Sequence, residues 1–148
     1  MLDNLSRGRI VTGFVRGIGN EYHATGINPH WSHERYQEAH DLIVQAWTRP
    51  GPFSYEGEHY NFRYVNCWPR PYQNPHPPIW IPGARSTETQ IEIAKRGYSY
   101  FLSSRSHGRE IAKARVGFAN VLQQNGVEYH PFRMGILMSV HVGETDEQ

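Results

Sequence analysis

Four short apolar runs, each followed closely by glycine, serine or arginine, constrain the fold of this chain more than any other feature of its sequence. The runs lack Asp, Glu, Lys and Arg, as expected of strands buried in a sheet. They occupy residues 10–15, 79–81, 100–102 and 135–142. Because segments with a helical pattern separate them, the strands are predicted to lie parallel, joined by right-handed crossovers. The sequence therefore predicts an α/β fold.

Each of the three intervals between the runs contains a helical pattern. In the first, Tyr36, Ala39 and Ile43 repeat at a helical spacing, and Ser32 is the expected N-cap. In the second, Thr87-Glu88-Thr89-Gln90 matches a capping box. The predicted helices span residues 32–48, 87–96 and 111–122.

Residues 53–64 carry a different pattern, that of a β-hairpin. Aromatic residues alternate with polar ones on both sides of Glu56-Gly57-Glu58, from Phe53 to Tyr64. The proline-rich segment that follows, residues 69–78, is expected to be extended.

Composition disfavours several classes of protein. The 148 residues hold 15 Lys and Arg against 14 Asp and Glu, and this balance argues against nucleic acid as the main partner. No apolar stretch approaches the roughly 20 residues that cross a bilayer, and the N-terminus lacks the apolar core of a signal peptide. The single cysteine, Cys67, fits a reducing compartment. One soluble cytoplasmic domain over residues 1–148, without a membrane partner, is the expectation.

Two local motifs are too incomplete to define a site. His30 and His33 lie beside Glu34, but no second cluster of ligands follows at a metal spacing, so no metal site is expected. Gly17-Ile18-Gly19 begins like a dinucleotide-binding fingerprint, but Tyr22 stands where the third glycine is required.

The carboxyl ends of the predicted strands hold side chains suited to an anion. In a parallel sheet these ends open on one side, where ligands bind. The residues there are Arg16, Arg85, Ser86, Ser103, Arg105 and His141. A helix begins directly after a strand at Ser86, so its unpaired N–H groups and its dipole favour a phosphate. Ordinary N-capping by Ser86, and carbonyl or solvent contacts of Arg85 and Arg105, are the alternatives.

An ordered series of motifs covers nearly the whole chain. The series comprises Asp3-Asn4-Leu5-Ser6-Arg7-Gly8-Arg9, Gly13-Phe14-Val15-Arg16-Gly17, Arg35-Tyr36-Gln37-Glu38-Ala39, Phe53-Ser54-Tyr55-Glu56-Gly57, Pro69-Arg70-Pro71 and Pro75-His76-Pro77-Pro78-Ile79-Trp80. In this order the motifs resemble those of the bacterial luciferase-like flavin-dependent monooxygenases. The resemblance implies a (β/α)₈ TIM barrel in which reduced FMN, or a deazaflavin in some branches, is the cofactor. In the monooxygenases the reduced flavin reacts with oxygen.

The resemblance also assigns cofactor-binding residues. Arg16 and Arg35 are similar to the family's arginines that contact the flavin phosphate, and Ser86 and Thr89 are similar to its hydroxyl pair at the phosphate-binding helix. The catalytic residue stays unassigned. Arg85 stands where the light-emitting members have an acidic residue, which argues against luciferase activity itself.

Two segments are candidate lids over the substrate, because aromatic-rich loops at a barrel mouth exclude water. They are the hairpin at residues 53–64 and a loop at residues 18–31. Plain packing against the barrel end is the alternative, and it is favoured for the hairpin.

The length of the chain indicates a partial barrel, since a complete one needs roughly 250 residues. The motifs correspond to about strands four to seven, with the hairpin inserted and the first three βα units and the last one missing. The chain is therefore expected to be part of a monooxygenase that oxidises a small organic substrate with reduced FMN and oxygen. A flavin reductase is expected to supply the reduced FMN. The isolated chain is expected to bind flavin weakly and not to turn over. The alternative is a non-catalytic flavin-binding or half-barrel assembly module, and a homo-oligomer is compatible with either.

Overall fold

The computed structural model describes residues 1–83, 86–103, 108–137, 142–143 and 145. The chain folds as two compact units, residues 1–79 and 80–148. None of the helices in the described ranges is long and apolar enough to cross a bilayer.

The first unit is built on one long helix and a hairpin. Its helices are α1 (Leu2–Ser6), α2 (Gly19–Thr25) and α3 (Ser32–Thr48), and a 3₁₀ turn at Pro29–Trp31 leads into α3. Its strands are β1 (Thr12–Gly13), β2 (Phe53–Glu56) and β3 (Asn61–Val65). Strands β2 and β3 pair antiparallel, with Tyr55 opposite Phe62. The predictions of a helix over residues 32–48 and of the hairpin are therefore confirmed.

The proline-rich segment of the first unit caps the carboxyl end of α3. The Arg70 guanidinium donates to the carbonyl oxygens of Trp47, Thr48 and Arg49 at 3.0, 2.8 and 2.9 Å. The last carbonyls of a helix have no intrahelical partner, so a cation at this place satisfies them and complements the helix dipole. The motif Pro69-Arg70-Pro71 thus has a structural role.

The same segment is fastened to the N-terminal helix. The buried Asp3 carboxylate accepts hydrogen bonds from the main-chain N–H and the side-chain amide of Gln73, at 2.9 and 2.8 Å. The Gln73 amide also donates to the Ile10 carbonyl at 2.8 Å, and Asn4 donates to the Arg70 carbonyl at 2.8 Å. Residues about seventy positions apart in sequence are thereby joined.

The second unit has alternating strands and helices. Its strands are β4 (Ile79–Gly83), β5 (Ser99–Ser103) and β6 (Met134–Leu137), and its helices are α4 (Thr87–Arg96) and α5 (Gly108–Gln124). A 3₁₀ turn at Pro131–Arg133 precedes β6. Strand β5 pairs parallel to both β4 and β6, with Tyr100 opposite Ile81 and Met134. The prediction of parallel strands joined by helices is confirmed.

The core of the second unit lies between this sheet and its helices. Its most completely buried large side chains come from α4, β5 and α5: Ile93, Tyr100, Leu102, Phe118 and Leu122. The rings of Tyr100 and Phe118 lie 5.1 Å apart, and the Tyr100 hydroxyl donates to the Gly83 carbonyl at 2.9 Å. The apolar face predicted for the third helix is thus the face that α5 buries.

The prediction of a buried strand over residues 10–15 is wrong. Only Thr12 and Gly13 form β1, and the side chains of Val11 and Val15 are 56% and 69% exposed. The Thr12 main-chain N–H donates to the Pro78 carbonyl at 2.9 Å. Pro77 and Pro78 have no N–H to donate, so the pairing does not extend along them.

The prediction of a loop over residues 18–31 is also wrong, because α2 and the 3₁₀ turn occupy most of it. The Glu21 carboxylate accepts the Ile18 N–H at 2.8 Å and closes the first turn of α2. Gly26, with φ of 66°, ends the helix in the left-handed region.

Two predicted helix starts are shifted by one residue. The residue before α3 is Trp31, so Ser32 is the first helical residue and not the N-cap. The N-cap of α4 is Ser86, whose hydroxyl accepts the Thr89 N–H, so the capping-box pattern over residues 87–90 is out of register. The strand predicted at residues 135–142 begins with β6, and residues 138–141 lie outside the described ranges.

Candidate functional site

One face of α3 forms a wall of a cavity of about 290 Å³ within the first unit. The helix contributes residues three to four positions apart: Ser32, Arg35, Tyr36, Ala39 and His40. The remaining lining comes from the segment after β1, from α2 and the residues that follow it, and from the hairpin: Phe14, Val15, Arg16, Gly17, Tyr22, Ile27 and Tyr60. The cavity therefore opens at the N-terminal half of a seventeen-residue helix.

Arg16 and Arg35 both line this cavity. Arg16 is exposed and follows β1, whereas Arg35 is half-buried in the first turn of α3. The Arg35 guanidinium carbon lies over the ring of Tyr60, 5.0 Å from its centroid. No carboxylate is among the described lining residues, so two cations and the positive end of a helix dipole face the same space. This arrangement suits an anionic group.

A carboxylate near the cavity, that of Glu38, is occupied by the hairpin. Its oxygens accept the main-chain N–H groups of His59 at 2.9 Å and Tyr60 at 2.8 Å. Burial opposes the charge of this carboxylate, but the N–H groups and the nearby His59 ring outweigh burial and hold the pKa of Glu38 below its ordinary value. Glu38 thus remains ionised and directed at the hairpin.

His40 is a cavity residue that the sequence patterns did not single out. It is 3% exposed, its Nδ1 lies 3.0 Å from a carboxylate oxygen of Asp41, and its ring meets Phe14 edge-to-face at 5.2 Å. The available signal was its position on the helical stripe that contains Ser32 and Tyr36, eight and four residues earlier. Tyr60 was identified only as a hairpin residue.

Ser86 and Thr89 lie together at the start of α4 in the second unit. The exposed Ser86 hydroxyl accepts the Thr89 N–H at 3.4 Å, and the Ser86 carbonyl accepts the Gln90 N–H at 3.1 Å. The structure thus contains the N-cap predicted as the alternative role of Ser86. A hydroxyl that accepts one N–H can still donate its own proton to a ligand.

The other candidate residues at strand ends are Arg85, Arg105 and His141, which lie outside the described residues. Ser103 ends β5. The structure therefore brings the predicted cofactor-binding residues together in pairs: Arg16 with Arg35 at the cavity, and Ser86 with Thr89 at a helix start.

The sequence profile described as luciferase-like monooxygenase matches residues 1–148. The chain belongs to this family. The resemblance found in the motifs is thus confirmed, and the relatives of this luciferase-like chain include flavin-dependent monooxygenases.

Two curated relatives match this luciferase-like chain over almost all of its length. An FMNH(2)-dependent dimethylsulfone monooxygenase of Pseudomonas putida is 26% identical over 152 residues, covering 99% of the chain and 40% of that protein. The oxygenase component of a flavin-dependent trigonelline monooxygenase of Acinetobacter baylyi is 25% identical over 150 residues, covering 99% and 41%. The chain therefore spans about two fifths of the length of these relatives.

Structural comparison gives the same family and the fold. The crystal structure of the monooxygenase RslO1 from Streptomyces bottropensis superposes with a TM-score of 0.77 at 26% identity, covering 91% of this chain and 41% of that one. Luciferase-like monooxygenases of known structure are TIM barrels. The fold prediction is confirmed: this luciferase-like chain is an α/β, parallel-strand part of such a barrel, with an inserted hairpin.

Proposed function

We propose that this chain is part of a monooxygenase that oxidises a small organic substrate with reduced FMN and oxygen, and that it binds the phosphate end of the flavin. The observation that carries the proposal is the shared cavity of Arg16 and Arg35, whose described lining contains no carboxylate. Guanidinium groups bind phosphate through charge-assisted hydrogen bonds, often two at a time.

The size of the cavity lies at the lower end of the range for ligand pockets. Pockets that enclose drug-sized ligands measure roughly 300 to 1,000 Å³. A cavity of about 290 Å³ has room for a phosphate and the adjoining part of a ribityl chain. In this proposal the tricyclic ring lies outside the cavity.

Each described donor has a definite task in this proposal. Arg16 and Arg35 neutralise the dianion, and the N-terminal end of α3 adds its dipole. Ser86 and Thr89, at the start of α4, are proposed to be flavin-binding residues as well, through the hydroxyl and N–H groups of the first turn. When bound, the reduced flavin supplies the reaction with oxygen, and these residues hold it in place.

The partners of the protein follow from this chemistry. A flavin reductase is proposed to supply the reduced cofactor, in keeping with the oxygenase component named for the Acinetobacter relative. FMN is the preferred cofactor in the proposal, and a deazaflavin is the alternative. We place the reaction in the cytoplasm, where reduced flavin and its reductase are available. The isolated chain is proposed to bind flavin weakly and not to turn over.

Flavin affinities with and without phosphate test the proposal. FMN and riboflavin are titrated into the chain and followed by flavin fluorescence, for the wild type and for Arg16→Gln and Arg35→Gln. Each substitution is expected to weaken FMN binding about tenfold, as for loss of a hydrogen bond to a charged group, and to leave riboflavin binding unchanged. Arg63→Gln, on the exposed side of β3, is the matched control and should change neither affinity. Equal affinities of the wild-type chain for FMN and riboflavin would refute the proposal.

A second function, a half-barrel assembly module without catalysis of its own, is favoured by exposed apolar side chains on β6 and beside β1. Val11 and Val15 are exposed beside β1, and Ile136 and Leu137 are exposed on β6. Unpaired strands with apolar side chains tend to associate. A defined dimer in light scattering across a hundredfold concentration range favours this module, whereas a monomer or an undefined aggregate counts against it.

A further inference from the structure

The contact with the Tyr60 ring restricts the Arg35 guanidinium, one of the two arginine cations that line the cavity. Arginine has a long side chain, and immobilising it costs rotamer entropy. A guanidinium stacked on an aromatic ring has already lost part of that freedom, and the ring's negative face attracts the cation. A guanidinium has five N–H donors, so those that do not face the Tyr60 ring can bind an oxyanion.

The position of Tyr60 is in turn set by Glu38. The Glu38 carboxylate spans the N–H groups of His59 and Tyr60, and the Tyr60 carbonyl accepts the Gly57 N–H at 2.9 Å. A Cβ atom on Gly57 would collide with the same Glu38 carboxylate, so the hairpin turn lies directly against α3. The tip of the hairpin is therefore clamped to the helix that carries Arg35.

This clamp also separates Glu38 from Arg35. The two residues are three positions apart on α3, a spacing at which a carboxylate and a guanidinium commonly pair. Both carboxylate oxygens are instead directed at hairpin N–H groups. Because the hairpin engages the Glu38 carboxylate, that carboxylate does not neutralise the Arg35 guanidinium at the cavity.

We propose that the hairpin is a fixed support rather than a moving lid, and that Tyr60 and Glu38 are positioning residues that aim Arg35 at the flavin phosphate. The inference rests on the proposed function and deepens it. It assigns to the hairpin a part in the discrimination between phosphorylated and unphosphorylated flavins.

Substitution of Tyr60 tests the inference directly. Tyr60→Leu removes the ring and should weaken FMN binding about threefold, the range expected for one exposed cation–π contact, with riboflavin binding unchanged. Tyr60→Phe keeps the ring and should bind FMN as the wild type does. Tyr64→Leu is the matched control, because Tyr64 lies on β3 of the same hairpin, is 67% exposed and does not line the cavity.

Glu38→Gln provides a second, independent variant. Its amide can accept one N–H but presents its NH₂ group to the other, so the clamp loosens while the side-chain size is kept. The expected result is again a selective loss of FMN affinity. If Tyr60→Leu loses its helical circular dichroism, the FMN and riboflavin affinities of Glu38→Gln and Tyr60→Phe are compared instead.

Failure of this inference is distinguishable from failure of the proposed function. Equal losses for FMN and riboflavin in Tyr60→Leu would mean that Tyr60 only supports the fold, and the inference would be overturned. It would also be overturned if Arg35→Gln weakens FMN binding while Tyr60→Leu and Glu38→Gln do not. If Arg35→Gln itself leaves the preference for FMN unchanged, the proposed function is overturned and the inference with it.

Discussion

Hydrogen-bond donors hold the pKa values of two carboxylates in the first unit, Asp3 and Glu38, below their ordinary values. Each is taken out of water in part, and burial alone would raise its pKa. Hydrogen bonds from Gln73 to Asp3, and from His59 and Tyr60 to Glu38, outweigh burial and lower both pKa values. Both residues belong to motifs that carry the resemblance to the family, and in this structure their contacts are internal. A family motif therefore need not mark a ligand contact.

The lowered pKa values predict that the first unit loses stability in acid. Unfolded Asp and Glu titrate near about 3.9 and 4.3, and their folded pKa values are lower, so the folded state holds fewer protons in that range. The stabilising contribution is complete above the unfolded values and is lost as the pH falls through the folded values, below about pH 4. The urea concentration at the midpoint of unfolding, measured from pH 7 to pH 3, should decrease below about pH 4. The decrease should be less steep for Glu38→Gln. Glu128→Gln, at an exposed position, is the control and should show the same pH dependence as the wild type. If the midpoint of Glu38→Gln depends on pH as steeply as that of the wild type, the prediction is contradicted.

At the scale of elements, local patterns predicted the long helices and the hairpin, and contacts distant in sequence decided the remainder. α3 and α5 each have an apolar stripe, which is partly buried in α3 and largely buried in α5. Their periodicity was therefore enough to predict both helices. α1 was not predicted, and its Asp3 is buried by contacts to Gln73, seventy positions away. β1 was predicted too long, and on its N-terminal side the neighbouring Pro77 and Pro78 offer no N–H for pairing, which an apolar run does not reveal.

The residues of the candidate site likewise divide into those that the sequence identified and those that it missed. Arg16 and Arg35 were assigned by resemblance and line one cavity, while their role in binding flavin stays a prediction. His40 and Tyr60 were missed because their contribution depends on how α3 packs against the hairpin and against Phe14. Helical spacing places a residue on a face, but it does not say what that face meets.

Arg70→Ala tests the capping of α3. Removal of the guanidinium leaves the carbonyls of Trp47, Thr48 and Arg49 without this donor and should lower the free energy of unfolding by about 1 to 3 kcal/mol. Urea denaturation followed by circular dichroism measures the change. Arg63→Ala, at an exposed position on β3, should stay within about 0.5 kcal/mol of the wild type. Equal stability of the two variants would contradict the capping role.

At the scale of the whole molecule, the chain covers about 40% of the length of the monooxygenases it matches. Exposed apolar residues remain on β6 and beside β1. We therefore predict that the chain alone, supplied with FMN, NADH and a flavin reductase, consumes oxygen no faster than the reductase with free FMN. An oxygen electrode measures this, with the reductase and FMN alone as the control. Oxygenation of an added organic substrate above that control would contradict the prediction.

The proposal depends on contact between the flavin phosphate and the Arg16 and Arg35 guanidinium groups. Nitrogen-15 correlation spectra of the labelled chain, titrated with FMN and separately with riboflavin, test it most directly. We expect the Nε–H signals of Arg16 and Arg35 to shift with FMN and to stay in place with riboflavin. Shifts that are the same for both flavins, or that leave these groups unmoved while others respond to FMN, would contradict it.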